Sequence, residues 1–211
     1  MAASAAVAVA RRALAPVLGP ALHLDAPVGQ RTTYRVGGAA ALLAEVADVA
    51  VLRAVRDAVA GSGLDVFVVG KGSNLLVADA GFDGLVVVLG DGFEGVEIDG
   101  TTVVAGGAAA LPVVARRTVA AGLRGFEWAV GVPGSVGGAV RMNAGGHGSD
   151  IATSLRSIRV VDVAGGEDGE VPATALDLAY RRSNLTPSTV VVDATLGLAP
   201  GDRAEGEQIL A

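Results

Sequence analysis

Residues 130–148 read VGVPGSVGGAVRMNAGGHG, and this stretch constrains the chain more than any other. A segment so poor in bulky side chains cannot supply a core. It can bring backbone very close to another group, because glycine lacks a Cβ and accepts positive φ. Successive amides in such turns form concave nests suited to phosphate oxygens. A connector of roughly twenty residues with this composition is uncommon in a compact domain unless it is functional. A second stretch of the same character lies upstream at 69–77, VGKGSNLLV. Each stretch reads as a tight turn or as one wall of a cleft. Taken as a pair, they suit opposite walls of one cleft for a large anionic cofactor.

Charge bears on that choice. The 211 residues carry a net charge of −6, and the isoelectric point is near 4.9. This argues against non-specific nucleic-acid binding, so an anionic ligand must be met by local donors. The single lysine, Lys71, falls inside the first glycine turn. No cysteine is present, which excludes disulfides, thiolate catalysis and thiolate metal sites. His23 and His147 lie far apart, so no histidine-based metal site is expected. Mean hydropathy is +0.53, yet no apolar run reaches the roughly 18 residues of a membrane span. The N-terminal arginines follow the apolar run instead of preceding it, unlike a secretory signal.

The periodicities predict a lead-in helix over 2–18, interrupted by Pro16 and Pro20. A short β-type run is expected within 27–38 (Thr32, Thr33, Tyr34, Val36), then a strand at 39–46. Asp48 is placed to cap a helix over 49–60. Strands follow at 66–69, 75–77 and 85–89, so that the first glycine turn runs from strand to strand. A hairpin at 96–98 and 102–105 precedes a helix over 112–121, with Pro112 in its first turn. Beyond the central stretch, 151–163 and 189–198 read as strands and 201–211 as the start of a helix. The domain boundaries expected are a lead-in at 1–24, a small β-α-β-β lobe at 25–90, a larger α+β lobe at 91–200 and a linker from 201.

Standard nucleotide motifs are missing. Nothing precedes Gly70 and Lys71 at P-loop spacing, and the first glycine turn does not open a helix as a dinucleotide fingerprint does. No nucleophile elbow or paired carboxylates stand out. Ser73, Asn74 and the amides around Gly70 and Gly72 can donate to phosphate oxygens, at roughly 1.5–3 kcal/mol for each charge-assisted bond.

Four segments, RTTYRVGG, VVGKGSNLLVAD, GLRGFEWAVGVPGSVGGAVRMNAGGHG and AYRRSNL, occur in this order. Together they resemble the successive signatures of the UDP-N-acetylenolpyruvoylglucosamine reductase family, over roughly residues 26–198. The resemblance implies an α+β, two-lobed FAD-binding domain of the vanillyl-alcohol-oxidase/cresol-methylhydroxylase type, with the flavin between the lobes. It implies a cytoplasmic, monomeric flavoenzyme of peptidoglycan precursor synthesis that serves cell wall biogenesis, cell shape and cell division. NADPH would reduce a non-covalent FAD, and hydride would pass to the enolpyruvyl group of a UDP-sugar, with no nucleic-acid or membrane partner. By the same resemblance, Gly70, Lys71, Gly72, Ser73, Asn74 and Leu75 hold the cofactor with Val132, Pro133, Gly134, Ser135, Gly137 and Gly138. The stretch Asn143–Gly148, with Asn143, Gly145, His147 and Gly148 as its named contacts, runs along the flavin. Tyr180 binds substrate, and Arg181 both binds it and stabilises the charge that develops on its carboxylate.

The family pattern continues into a third domain with a Gly-Ser-x-Phe-x-Asn-Pro serine and a late glutamate, and neither occurs here. The expectation is therefore a truncated chain that binds FAD and turns over the UDP-sugar poorly. A non-catalytic FAD-binding module and an FAD oxidase tethered through His147 are the alternatives.

Overall fold

A computed structural model describes residues 5–211. The first three residues of the expected lead-in helix lie outside them. Helix α1 covers Ala5–Leu18, and Pro16 sits in its last turn without ending it. The chain forms two compact units.

The first unit takes the described residues through Gly92, with Val161–Asp168 and Thr186–Val190. Its sheet contains β1 (Leu22–Ala26), β2 (Ala40–Val46), β3 (Val66–Val69) and β4 (Phe82–Leu89), in the order β1-β2-β4-β3. β2 and β3 each run parallel to β4, while β1 is an antiparallel edge. The near-continuous apolar run of β2 suits a strand covered on both faces. Helix α2 (Val49–Val59) starts where the Asp48 carboxylate accepts from Val51 N at 2.9 Å. It buries Leu52, Val55 and Val59, the i, i+3, i+7 stripe of an amphipathic helix. α1 packs on both α2 and β2.

Two expected strands are absent. Residues 32–36 follow a 3-10 turn at Val28–Arg31, where Thr32 Oγ1 donates to Gly29 O at 2.8 Å. That local bond and the Thr33 N to Gly72 O bond (3.1 Å) take the place of a ladder. Residues 75–77 are not a strand either. Leu75 and Val77 pack on the cluster of Ala26, Leu43, Val69 and Val86, while Gly38 N bonds Ala78 O at 2.9 Å. The first glycine turn thus opens a loop, residues 70–81, that leaves the carboxyl end of β3 and returns to parallel β4 without a helix. Gly72 is required here. Its φ is +66°, and a Cβ would lie 2.2 Å from Arg31 O.

The second unit takes Phe93–Val160, Gly169–Leu185 and Val191–Ala211. The hairpin β5 (Val96–Asp99) and β6 (Thr102–Gly106) leads to helix α3 (Leu111–Ala120), which has a proline in its first turn as expected. The short strand β7 (Leu123–Arg124) precedes the central stretch. That stretch is not a bare connector. It holds a 3-10 turn at Glu127–Gly131, helix α4 (Val136–Met142), and the paired short strands β8 (Gly145–Gly146) and β9 (Ser149–Asp150). The chain continues through β10 (Leu155–Asp162), β11 (Asp168–Pro172), β12 (Thr189–Gly197), β13 (Ala199–Pro200) and α5 (Arg203–Leu210). The five-strand order is β11-β10-β12-β6-β5. The unit's core includes Leu111, Val114, Phe126, Val136, Ile151, Ile158 and Leu196. Phe126 meets Trp128 edge-on, with ring centroids 5.2 Å apart.

Candidate functional site

In the second unit the segment YRRSN folds into a tight turn. Ala179 N donates to Arg182 O and Arg182 N to Ala179 O, both at 3.0 Å, which leaves Tyr180 and Arg181 at the tip. Arg181 has φ +55°, a left-handed conformation that costs a non-glycine residue about 1–2 kcal/mol. Non-glycine residues held this way cluster at functional sites. Below the tip, Ser183 Oγ donates to Arg141 O at 2.8 Å and Asn184 Nδ2 to Ala175 O at 2.8 Å. Tyr180, Arg181 and Arg182 are thus exposed, while the Ser183 and Asn184 side chains anchor the turn. Tyr180 is 89% exposed, and the Arg181 guanidinium carbon stands 5.5 Å from its ring centroid. Among the described residues no carboxylate pairs with Arg181, in a chain whose net charge is −6.

The glycine stretch reaches the same place. Helix α4 begins at Ser135, whose hydroxyl accepts from Gly138 N at 3.4 Å. It ends at Asn143, which has φ +40° and caps the helix by donating its own N–H to the last turn. Between β8 and β9, His147 and Gly148 both have positive φ. That is the two-residue hairpin geometry that fits strand twist. The result is a cleft of about 350 Å³ lined by Asn143, Gly145, Gly146, Gly148, Ser149, Asp150, Thr153, Tyr180 and Arg181. A Cβ built on Gly148 meets nothing within 4 Å, so its backbone borders open space.

The structure therefore brings Asn143, Gly145 and Gly148 together with Tyr180 and Arg181. His147 is exposed at the hairpin tip, and its Nε2 lies 3.3 Å from where a Gly131 Cβ would stand. Val132, Pro133, Gly134 and Ser135 form the turn entering α4, bonded to Leu111 N through Gly134 O at 3.0 Å. Gly137 N donates to Gly107 O at 2.9 Å, so that amide and the Gly138 amide serve the unit itself. In the first unit, Gly70, Lys71 and Asn74 are exposed on the loop after β3, Ser73 and Leu75 are half-buried and Gly72 is buried. Among the lining residues, Ser149, Asp150 and Thr153 were not expected from the sequence. A signal existed: Asp150 caps the 3-10 turn Ile151–Thr153 by accepting from Thr153 N at 3.3 Å.

The FAD binding domain family matches residues 40–169, more than half of the chain and both glycine stretches. The chain belongs to that family. A UDP-N-acetylenolpyruvoylglucosamine reductase of Synechococcus sp. (strain CC9605) is 44% identical over 175 residues, covering 81% of this chain and 57% of the relative. The crystal structure of UDP-N-acetylenolpyruvylglucosamine reductase from Thermus caldophilus is similar with a TM-score of 0.75 and 30% identity, covering 90% of this chain and 65% of that one. A glucose dehydrogenase, Phl p 4.0202, shares the fold alone: TM-score 0.66 and 15% identity, over 92% of this chain and 44% of that one. These likenesses bear out the expected α+β FAD-binding fold class. This chain spans about three fifths of the length of the reductases it matches. The lining of the cleft suits part of an FAD-dependent site. It offers side-chain-free glycine backbone, one guanidinium without a carboxylate partner, and a phenol, within the volume range of ligand pockets.

Proposed function

We propose that this chain is the FAD-binding part of an NADPH-dependent reductase that converts the enolpyruvyl ether of UDP-N-acetylglucosamine to UDP-N-acetylmuramate. The activity would be cytoplasmic and would supply peptidoglycan precursors for cell wall growth and division. The observation that carries this reading is the Tyr180 and Arg181 turn. Arg181 lines the same cleft as the glycine hairpin, in a chain 44% identical over 175 residues to a named reductase.

Non-covalent FAD, when bound, supplies the hydride chemistry. Residues 70–75 and the stretch from Val132 to Gly148 are the segments proposed to hold it. Gly70, Gly145 and Gly148 would present backbone without side chains, while Gly72, Gly137 and Gly138 shape the turns that carry it. Arg181 would hold the substrate carboxylate and stabilise the negative charge that grows there. A fixed cation already aimed at that charge acts more strongly in the transition state than in the ground state. Tyr180, stacked under the guanidinium, would keep it oriented and offer its hydroxyl to the substrate.

Visible absorbance during addition of FAD tests the first part of the reading. Saturation at one flavin per chain, with full release on denaturation, supports it. Flavin that stays attached would favour an oxidase of the same fold. Formation of UDP-N-acetylmuramate under NADPH, followed by mass spectrometry, tests the second part.

A further inference from the structure

We propose that Asn143 is a positioning residue whose side-chain amide ties the Tyr180 and Arg181 turn to the glycine hairpin, acting through Ala179 and Asp150. The consequence for substrate rests on the reading of Arg181 given above, whereas the tie stands on geometry alone. Asn143 is 6% exposed. Its Nδ2 donates to Asp150 Oδ2 and to Ala179 O, both at 3.2 Å, and its Oδ1 accepts from Ala152 N at 3.2 Å. A carboxamide nitrogen carries two hydrogens, so both are used inside the protein. The side-chain donors are therefore directed at the turn and the hairpin.

The partners are fixed in their own right. Asp150 Oδ1 accepts from Thr153 N at 3.3 Å and from Thr153 Oγ1 at 3.1 Å. Two residues before Asn143, Arg141 O accepts from Ser183 Oγ at 2.8 Å. The end of α4 thus grips the turn on both sides of its tip, at Ala179 and at Ser183. Two demands meet at position 143. The backbone is left-handed, which asparagine tolerates better than most residues. The side chain faces a carboxylate and a carbonyl, so it must present two donors. An aspartate would satisfy the first demand and oppose the second.

The test is hydrogen–deuterium exchange at the Arg182 amide, which donates to Ala179 O. Wild type, Asn143→Gly and Asn143→Asp are compared as FAD-loaded full chains. Asn143→Gly suits the backbone and removes both donors. Exchange at Arg182 is expected to quicken by up to about tenfold, the effect of losing a part-buried hydrogen bond, while β6 amides stay protected. Asn143→Asp is expected to quicken exchange near neutral pH. Both variants should weaken binding of the UDP-sugar enolpyruvyl ether. Wild-type protection of Arg182 in either variant would overturn the proposal. If Asn143→Asp does not fold, Asn143→Gly decides. Should wild type fail to bind the UDP-sugar, the functional reading falls and the exchange data still judge the tie.

Discussion

Asn143 Nδ2 donates to the carbonyl of Ala179 at 3.2 Å, across 36 positions of sequence. This bond joins the glycine-rich stretch to the turn that carries Arg181. It makes the cleft a property of the second unit's backbone and not of two unrelated loops.

The close approach at Gly72 gives a prediction for the first unit. Gly72→Ala would force an alanine to φ +66° with its Cβ 2.2 Å from Arg31 O. The loss expected is about 1–3 kcal/mol, the usual cost of a strained backbone position. Urea denaturation measures it. Gly100→Ala is a matched control: φ there is +56° with nothing within 4 Å, so strain alone should make its loss smaller.

Core packing in the second unit gives another. Phe126 is fully buried against Trp128. Phe126→Ala should destabilise the protein by about 3–5 kcal/mol through lost transfer energy and a residual cavity. The denaturant midpoint and the emission of Trp128, the only tryptophan, report it.

Acid sensitivity in the first unit should come from Asp168 and from Glu45, whose carboxylate Arg31 also holds below its ordinary value. The Asp168 carboxylate bridges Arg53 and Arg56 of α2. Hydrogen bonding to Arg53, then to Arg56, holds its pKa down at about 2 from an ordinary 3.8. A folded-state pKa below the unfolded one means that the unfolded chain binds the proton more readily. The pair's stabilisation is therefore complete above 3.8 and is lost as pH falls towards 2. Asp168→Asn should flatten that part of the stability curve and leave the curve above pH 5 parallel to wild type. The effect is small, since these charges face water, and salt should reduce it further. A loss in Asp168→Asn as steep as that of wild type across the same window would contradict the assignment.

Much of the framework was legible. α2 and α3 announce themselves by an aspartate cap and a first-turn proline ahead of apolar residues at helical spacing. The β5–β6 hairpin shows as two β-rich runs around Gly100. Other elements were hidden for physical reasons. β1, LHLDA, is an edge strand in which Leu24 and Asp25 are exposed and His23 is half-buried, so it lacks an alternating apolar signature. Residues 75–77 have the composition of a strand but are held by Gly38 and the core instead of a ladder. α4 contains two adjacent glycines that its own propensity would not support; burial of Val136, Ala139 and Val140 stabilises it. At the site, the motif residues could be named from their order alone. The role of Asn143 could not, because its partners Asp150, Ala152 and Ala179 are fixed only by the fold.

The central claim is that Arg181 acts on the substrate's anion and not on FAD. The most direct measurement titrates the UDP-sugar enolpyruvyl ether into FAD-loaded wild type and Arg181→Ala, following flavin fluorescence, with FAD affinity measured on the same samples. The prediction is equal FAD affinity and UDP-sugar binding weakened about 10- to 100-fold, as for loss of one charge-assisted hydrogen-bonded pair. Undiminished UDP-sugar binding, or a parallel loss of both ligands, would contradict it.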